Sequence, residues 1–207
     1  MTAPAYRLYA RHGAGSIAVQ IALEEAGAAY EVTWIAKTPE AVEAYRRVNP
    51  AGRIPALGLP GGAVMSESAA ILIYLAGAFP GAHLAPPAGS ADYAHFLQWM
   101  VSLSANLYET ALRYYYSERY STGGAAAAAD VKAQALSDYR RQLTTLDAQL
   151  RPYLLGETYS IADPYLYMLA GWYPGELTEL TSLARHARLM RERPAVARTE
   201  KDHAEPA

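Results

Sequence analysis

The run Asn49-Pro50-Ala51-Gly52-Arg53-Ile54-Pro55-Ala56-Leu57 carries the residues whose types and spacing point most sharply to chemistry. Pro55 stands at the entry to an apolar run, where a residue without an N–H is tolerated in a strand. With a cis Ile54–Pro55 bond, a feature of tight turns, the backbone of Ile54 turns outward and offers its N–H and C=O. A peptide-shaped ligand would pair there as an added strand. The same residues also read as an ordinary turn that opens a strand. Ser66-Glu67-Ser68 marks a second place, where a strand gives way to a helix. Ser68 sets a hydroxyl beside unpaired helix N–H groups, which suits a carboxylate. Glu67 suits a ligand ammonium group. Taken alone, a helix cap is the plainer reading of these three residues.

The elements that must position these residues follow from periodicity. Tyr6-Arg7-Leu8-Tyr9 is a short strand that ends in the turn Arg11-His12-Gly13-Ala14-Gly15. Ser16 opens a helical stripe of Ile17, Ile21, Ala22 and Leu23, and Gly27 stops it. Tyr30 to Ile35 is a β-branched and aromatic strand. A polar helix over Pro39–Val48 comes next. Two brief strands follow, Ala56–Leu59 and Ala63–Met65, joined by Pro60-Gly61-Gly62. Helical spacing returns from Ser66 to Ala78. The order β-α-β-α-β-β-α over residues 1–80 predicts a thioredoxin-like α/β domain with helices against a small mixed sheet. A Pro- and Gly-containing linker at 81–90 leads to an all-helical C-terminal domain at 91–207. Its stripes are Phe96, Trp99, Met100, Leu103 and Leu107, then Leu143, Leu146, Leu150 and Leu154. Ser121–Ala129 reads as a loop, Ile161–Trp172 and Glu179–Arg191 as helices, and the polar tail after Pro194 as a segment that frays.

Composition removes several function classes. Hydrophobic residues make up 52% of the 207 and charged ones 18%, enough apolar mass for a real core. A net charge of -2 gives no general attraction to nucleic acid. No run of 18 apolar residues occurs, which predicts a soluble protein that spans no membrane, and Met1 to Arg11 shows no secretory pattern. The chain has no cysteine, so disulfides, thiolate metal sites and a cysteine nucleophile are all absent. Five histidines (His12, His83, His95, His186 and His203) are scattered without ligand spacing, so no metal is expected.

NPAGRIPAL, followed ten residues later by ESAAILIYL, resembles the second half of the glutathione-binding domain of glutathione transferases. Phe96-Leu97-Gln98-Trp99, Tyr116-Ser117-Glu118-Arg119-Tyr120 and Ser160-Ile161-Ala162-Asp163-Pro164 extend the resemblance, in order, over nearly the whole chain. The nearest pattern is that of the bacterial beta-like group. The resemblance implies that Ile54, beside a cis Pro55, holds the cysteinyl backbone of glutathione, and that Glu67 and Ser68 bind its γ-glutamyl end. It places Arg53 on the flank and Lys37, across a gap in the match, toward the glycyl carboxylate. It also implies a cytoplasmic homodimer with a role in detoxification.

This chain departs from the family where the thiol is activated. The cysteine of many beta-like members falls on Gly15, and the tyrosine of other classes on Ala10. Ser16 remains, either as a donor to the glutathione sulfur at a helix terminus that favours negative charge or as a plain N-cap. A thiol that ionises near pH ~8.5 needs about 1.4 kcal/mol of preference for thiolate per unit of lowering. A charge-assisted hydrogen bond with a helix dipole is of that order. The histidine and lysine that some relatives aim at the sulfur fall on Tyr108 and Glu109. Tyr108 is thus a second candidate donor, and with His12 and Tyr115 it would line an electrophile pocket. Core and interface packing accounts for most of the neighbouring tyrosines. Ser160 and Asp163 form a capping box with a structural role.

Three functions compete. The first is conjugation of the glutathione thiolate to small hydrophobic electrophiles. The second is non-catalytic binding of glutathione, a hydrophobic ligand or a protein partner on the same fold, suggested by the missing cysteine, tyrosine and histidine. A glutathione-dependent reductase or isomerase falls behind both, since the protein supplies no thiol for disulfide exchange.

Overall fold

Alternating burial shapes the first strand, β1 (Tyr6–Ala10): Tyr6, Leu8 and Ala10 turn inward and Arg7 faces out. The computed structural model describes residues 6–204, so Met1–Ala5 of the N-terminal reading lie outside the described residues. After β1 come α1 (Ser16–Glu25), β2 (Tyr30–Trp34), α2 (Pro39–Tyr45), β3 (Ala56–Gly58), β4 (Val64–Ser66) and α3 (Ser68–Ala78). The sheet order is β2-β1-β3-β4, with β1 and β2 parallel and the other two pairs antiparallel. A parallel pair needs a crossover, which α1 supplies. The hairpin between β3 and β4 closes on Pro60-Gly61-Gly62, where Gly62 takes a φ of 87° and Leu59 N–H bonds the Ala63 carbonyl at 2.7 Å. Leu8, Ile21, Leu57, Ile71, Leu72 and Leu75 form the buried centre of this thioredoxin-like arrangement.

The helical part contains α4 (Ala91–Ser102), a π-helical turn at Leu103–Tyr108, α5 (Glu109–Tyr115), α6 (Gly124–Gln149), α7 (Ala162–Gly171) and α8 (Thr181–Arg191). Its core includes Phe96, Met100, Tyr139, Leu143, Tyr165 and Leu166. Two local details differ from the expected pattern. Ala125–Ala129 is helix rather than loop, because the alanine run continues into α6; Ser121–Gly123 stay outside it, and Gly124 opens it with a φ of 80°. α6 then stops at Gln149, and Leu150 turns to extended backbone. Leu150 and Leu154 are therefore buried beyond the helix rather than on its stripe.

The capping pair at α7 is formed as expected on its acidic side. Asp163 Oδ2 accepts the Ser160 N–H at 2.8 Å. The Ser160 hydroxyl donates to the same carboxylate and accepts from Ala162 N–H at 3.4 Å, instead of taking the Asp163 N–H. Asp163 Oδ1 also accepts the Leu154 N–H at 2.9 Å and faces His186 Nε2 at 3.3 Å. A fully buried carboxylate is thus satisfied from four sides.

The chain splits into two compact units. One unit comprises Met1–Ala85 with Arg191–Ala207, and the other is Pro86–Met190. The tail is helical as α9 (Pro194–His203) and lies on α1 in the first unit. Its polar residues find partners there: Arg193 makes a two-pronged bond with Glu25 at 2.6 and 2.9 Å, and Arg198 pairs with Glu24. Ala195, Val196 and Thr199 are buried. This docking, which a polar composition conceals, keeps the segment from fraying.

Candidate functional site

Strand register gathers the first unit's candidates at one edge of the sheet. Ala10 ends β1 opposite Trp34 at the end of β2. Tyr9 stands opposite Ala56 at the start of β3, and Ala56 stands opposite Ser66 at the end of β4. The residues just beyond these pairs leave the sheet at the same edge. They are the loop 11–15, Ile54 and Pro55, Glu67 and Ser68, and Lys37 a few positions past Trp34.

The turn before β3 is braced from below. The Arg53 carbonyl accepts from Asn49 Nδ2 at 2.8 Å and from the Tyr45 hydroxyl at 3.0 Å. Asn49 Oδ1 in turn accepts the Ala51 N–H at 3.2 Å. Burial pushes the Tyr45 phenol up, and its hydrogen bond with Asn49 pulls the other way. Gly52 takes a φ of 63°, a left-handed conformation that favours glycine. Pro55 is buried, Ile54 is half-buried, and the peptide between them is cis. Among the described residues, neither the N–H nor the C=O of Ile54 makes a backbone hydrogen bond. Arg53 exposes its side chain.

Glu67 precedes α3 with a φ of 70°, a left-handed conformation uncommon outside glycine. The helix therefore starts at Ser68, two residues later than the sequence suggested. Its first turn holds no acidic side chain, so its N–H end favours an anion. Ser68 is buried beside exposed Glu67. Lys37 is exposed. A cation, an anion acceptor and a backbone edge at one sheet margin can together hold a zwitterionic peptide.

The N-terminal loop is held tightly. Ser16 is completely buried. Its hydroxyl donates to the Arg11 carbonyl and accepts the Arg11 N–H, each at 3.2 Å. Gly15 occupies the N-cap position, so Ser16 caps nothing and instead staples the loop. The Arg11 guanidinium bonds the Ile35 carbonyl at 3.1 Å and the Ala36 carbonyl at 3.4 Å, joining the loop to the end of β2. His12 stacks flat on Trp34, with ring centres 4.2 Å apart and planes 5° apart.

Tyr108 and Tyr115 belong to the second unit. Tyr108 closes the π-helical turn, with its ring 5.3 Å from Trp172 edge-on and 6.3 Å from Tyr165. Tyr115 is half exposed, and its hydroxyl donates to the Trp172 carbonyl. Burial, then the neighbouring Tyr114, pushes its phenol up. Among the described residues no group of three or more His, Cys, Asp or Glu is placed to hold a metal ion, and no helix is long and apolar enough to cross a membrane.

Sequence reasoning missed Tyr45 behind Arg53 and Trp34 and His203 around His12, and it named Asn49 in the motif without assigning its bracing role. Asn49 offered a signal, since an amide four residues before the strand-entry turn is suited to bracing it. His203 offered none, because its position depends on α9 folding back onto α1.

Residues 16–78 match the family model of the glutathione S-transferase N-terminal domain. An uncharacterized GST-like protein of Escherichia coli K12, YncG, is 34% identical over 136 residues, which are 64% of this chain and 63% of that one. A glutathione transferase homologue from Sulfitobacter, solved with bound glutathione, superposes with a TM-score of 0.90 at 26% identity, over 96% of this chain and 98% of the other. A sphingomonad glutathione S-transferase in complex with glutathione has a TM-score of 0.85 and 31% identity, over 97% of this chain and all of its own. Shared sequence over the full length of that relative, on a shared thioredoxin-like and all-helical fold, establishes that this chain belongs to the glutathione transferase family.

Proposed function

We propose that this protein is a glutathione transferase that joins the glutathione thiolate to small hydrophobic electrophiles. One observation carries the reading: the strand register that sets the Ile54 backbone, Glu67–Ser68 and the loop 11–16 at one sheet edge. In this reading Ile54 pairs with the cysteinyl backbone as an added strand would. Glu67 takes the γ-glutamyl ammonium and Ser68 with the α3 N–H groups takes its carboxylate. Lys37 and Arg53 serve the glycyl end, and Tyr108 and Tyr115 serve the electrophile. The sulfur supplies the electron pair of the new C–S bond. The protein acts as a cytoplasmic homodimer in detoxification, with glutathione as co-substrate and no metal.

A second reading, a glutathione or hydrophobic-ligand carrier without turnover, is favoured by the Ser16 geometry. Its hydroxyl is committed to Arg11 on both its donor and acceptor sides, and neither cysteine nor tyrosine stands at position 10 or 15. Calorimetric titration with glutathione, followed by turnover assays on several unrelated electrophiles, decides between them. Saturable binding with turnover supports the transferase. Binding without turnover on any electrophile leaves the carrier, and absence of binding removes both.

A further inference from the structure

α9 ends on the loop that carries His12, and the hydrogen bonds along the way fix where protons sit. Gln20 on α1 is fully buried, and its Nε2 donates to Asp202 Oδ2 at 2.8 Å and to the Tyr30 hydroxyl at 3.2 Å. Its Oε1 is therefore the acceptor that faces His203 Nε2 at 3.0 Å, and His203 carries its hydrogen on Nε2. The main chain of the same residue reaches the loop: the His203 carbonyl oxygen lies 3.3 Å from His12 Nδ1. A carbonyl only accepts, so His12 Nδ1 holds the hydrogen, and the neutral ring keeps its lone pair on Nε2. Among the described residues the side-chain hydrogen bond of His12 is the one at Nδ1, and Nε2 makes none. Trp34 fixes the plane of the His12 ring from one face and meets the His203 ring edge-on at 5.0 Å.

We propose that His12 accepts the thiol proton of glutathione, and that the His203 carbonyl equips it for this by holding the Nδ1–H tautomer. The inference rests on the reading of the loop 11–16 as the place where the thiol lies. The S–H proton passes to Nε2, and the sulfur keeps the bonding pair and forms the C–S bond with the electrophile. A leaving group, where there is one, departs with its own pair. The imidazolium then returns its proton to solvent. His12 faces His203 from α9 and the uncharged Trp34 from β2, with Arg11 beside it in the loop, and Asp202 acts on His203 and bonds Gln20. Arg11 is tied to the Ile35 and Ala36 carbonyls. Burial, then the proximity of His12, lowers the His203 pKa to about 4, against a smaller opposing pull from Asp202. His203 is thus neutral near pH 7 and does not compete for the proton. In this role His203 is a positioning residue.

Histidine-selective nitrogen NMR of the protein without glutathione reads the tautomer directly. The expected result is His12 carrying its hydrogen on Nδ1 near neutral pH, with a shift toward a tautomer mixture in His203→Ala, which keeps the main-chain carbonyl but removes the imidazole bond to Gln20 that anchors it. A wild-type ring protonated on Nε2 overturns the inference whatever the enzyme's activity, and it does so even if His203→Ala fails to fold. The ultraviolet thiolate band of added glutathione against pH reads the proton transfer. In His12→Gln, the midpoint is expected to rise by about one unit toward that of the free thiol, a tenfold loss of thiolate well below it, with calorimetric affinity within about threefold. An unmoved midpoint with binding retained overturns the role of His12 and leaves the transferase reading intact. Wild-type protein that binds no glutathione overturns both.

Discussion

Asn49 Nδ2 donates to the Arg53 carbonyl at 2.8 Å from a side chain only 6% exposed, so the residue before Ile54 is fixed by the end of the preceding helical turn. Asn49→Ala removes this bond and strands the Ala51 N–H that its Oδ1 accepts. The expected cost is about 1–2 kcal/mol in urea unfolding. Glutathione affinity is expected to fall about tenfold by calorimetry. Tyr45→Phe keeps the ring against Tyr9 and loses one donor, so both effects are smaller. Unaltered affinity in Asn49→Ala would separate the brace from the ligand.

Ser16→Ala tests the two roles of the serine. With its hydroxyl closed onto Arg11, the expected outcome is a stability loss of about 1–2 kcal/mol and a thiolate midpoint that stays where it is. A midpoint raised toward free glutathione, with turnover down by one to two orders as for a lost transition-state donor (about 10- to 100-fold), would give the sulfur-steering role back to Ser16.

His203 sets a pH dependence of stability. Its folded pKa of about 4 lies below the unfolded value of about 6.5, so between these pH values the unfolded chain binds more protons. The stability this neutral ring contributes is complete above pH about 6.5 and is lost as pH falls toward 4. Melting temperatures measured across that window are expected to decline with acid. In His203→Asn the decline should be shallower.

Asp163 answers four partners from a fully buried position. Asp163→Ala strands the Leu154 and Ser160 N–H groups and is expected to cost at least about 3 kcal/mol. Ser160→Ala, which leaves the backbone bond to the carboxylate in place, should cost about 1 kcal/mol. Glutathione affinity of the Ser160 variant should match wild type.

Arg193 grips Glu25 with two nitrogens, at 2.6 and 2.9 Å, and both side chains are partly buried. Arg193→Ala is expected to lower stability by about 1–2 kcal/mol. Arg193→Lys should recover only part, since an ammonium cannot reproduce the planar fork. Hydrogen exchange at the α9 amides should quicken in both variants, most in the alanine one.

Local physics was sufficient for much of this protein. The alternation at Tyr6–Ala10, the Pro-Gly-Gly hairpin and the stripe on α1 each depend on neighbours within a few residues, so the β-α-β-α-β-β-α order was legible in the chain. NPAGRIP and the Glu67–Ser68 turn were legible for the same reason. The hydrogen-bond partner of His12 was not, because it is a backbone carbonyl 191 positions away. Nor was the commitment of Ser16, whose spacing from Arg11 suits a cap as well as a staple until the loop closes. The tail after Pro194 is polar enough to read as frayed, yet Arg193, Arg198 and Asp202 are neutralised or bonded by α1. Residue types and short-range periodicity determined which elements form and which side chains were candidates. Only the tertiary structure decided which hydroxyl is already spent and which ring nitrogen keeps its lone pair, because hydrogen-bond partners distant in sequence make that choice.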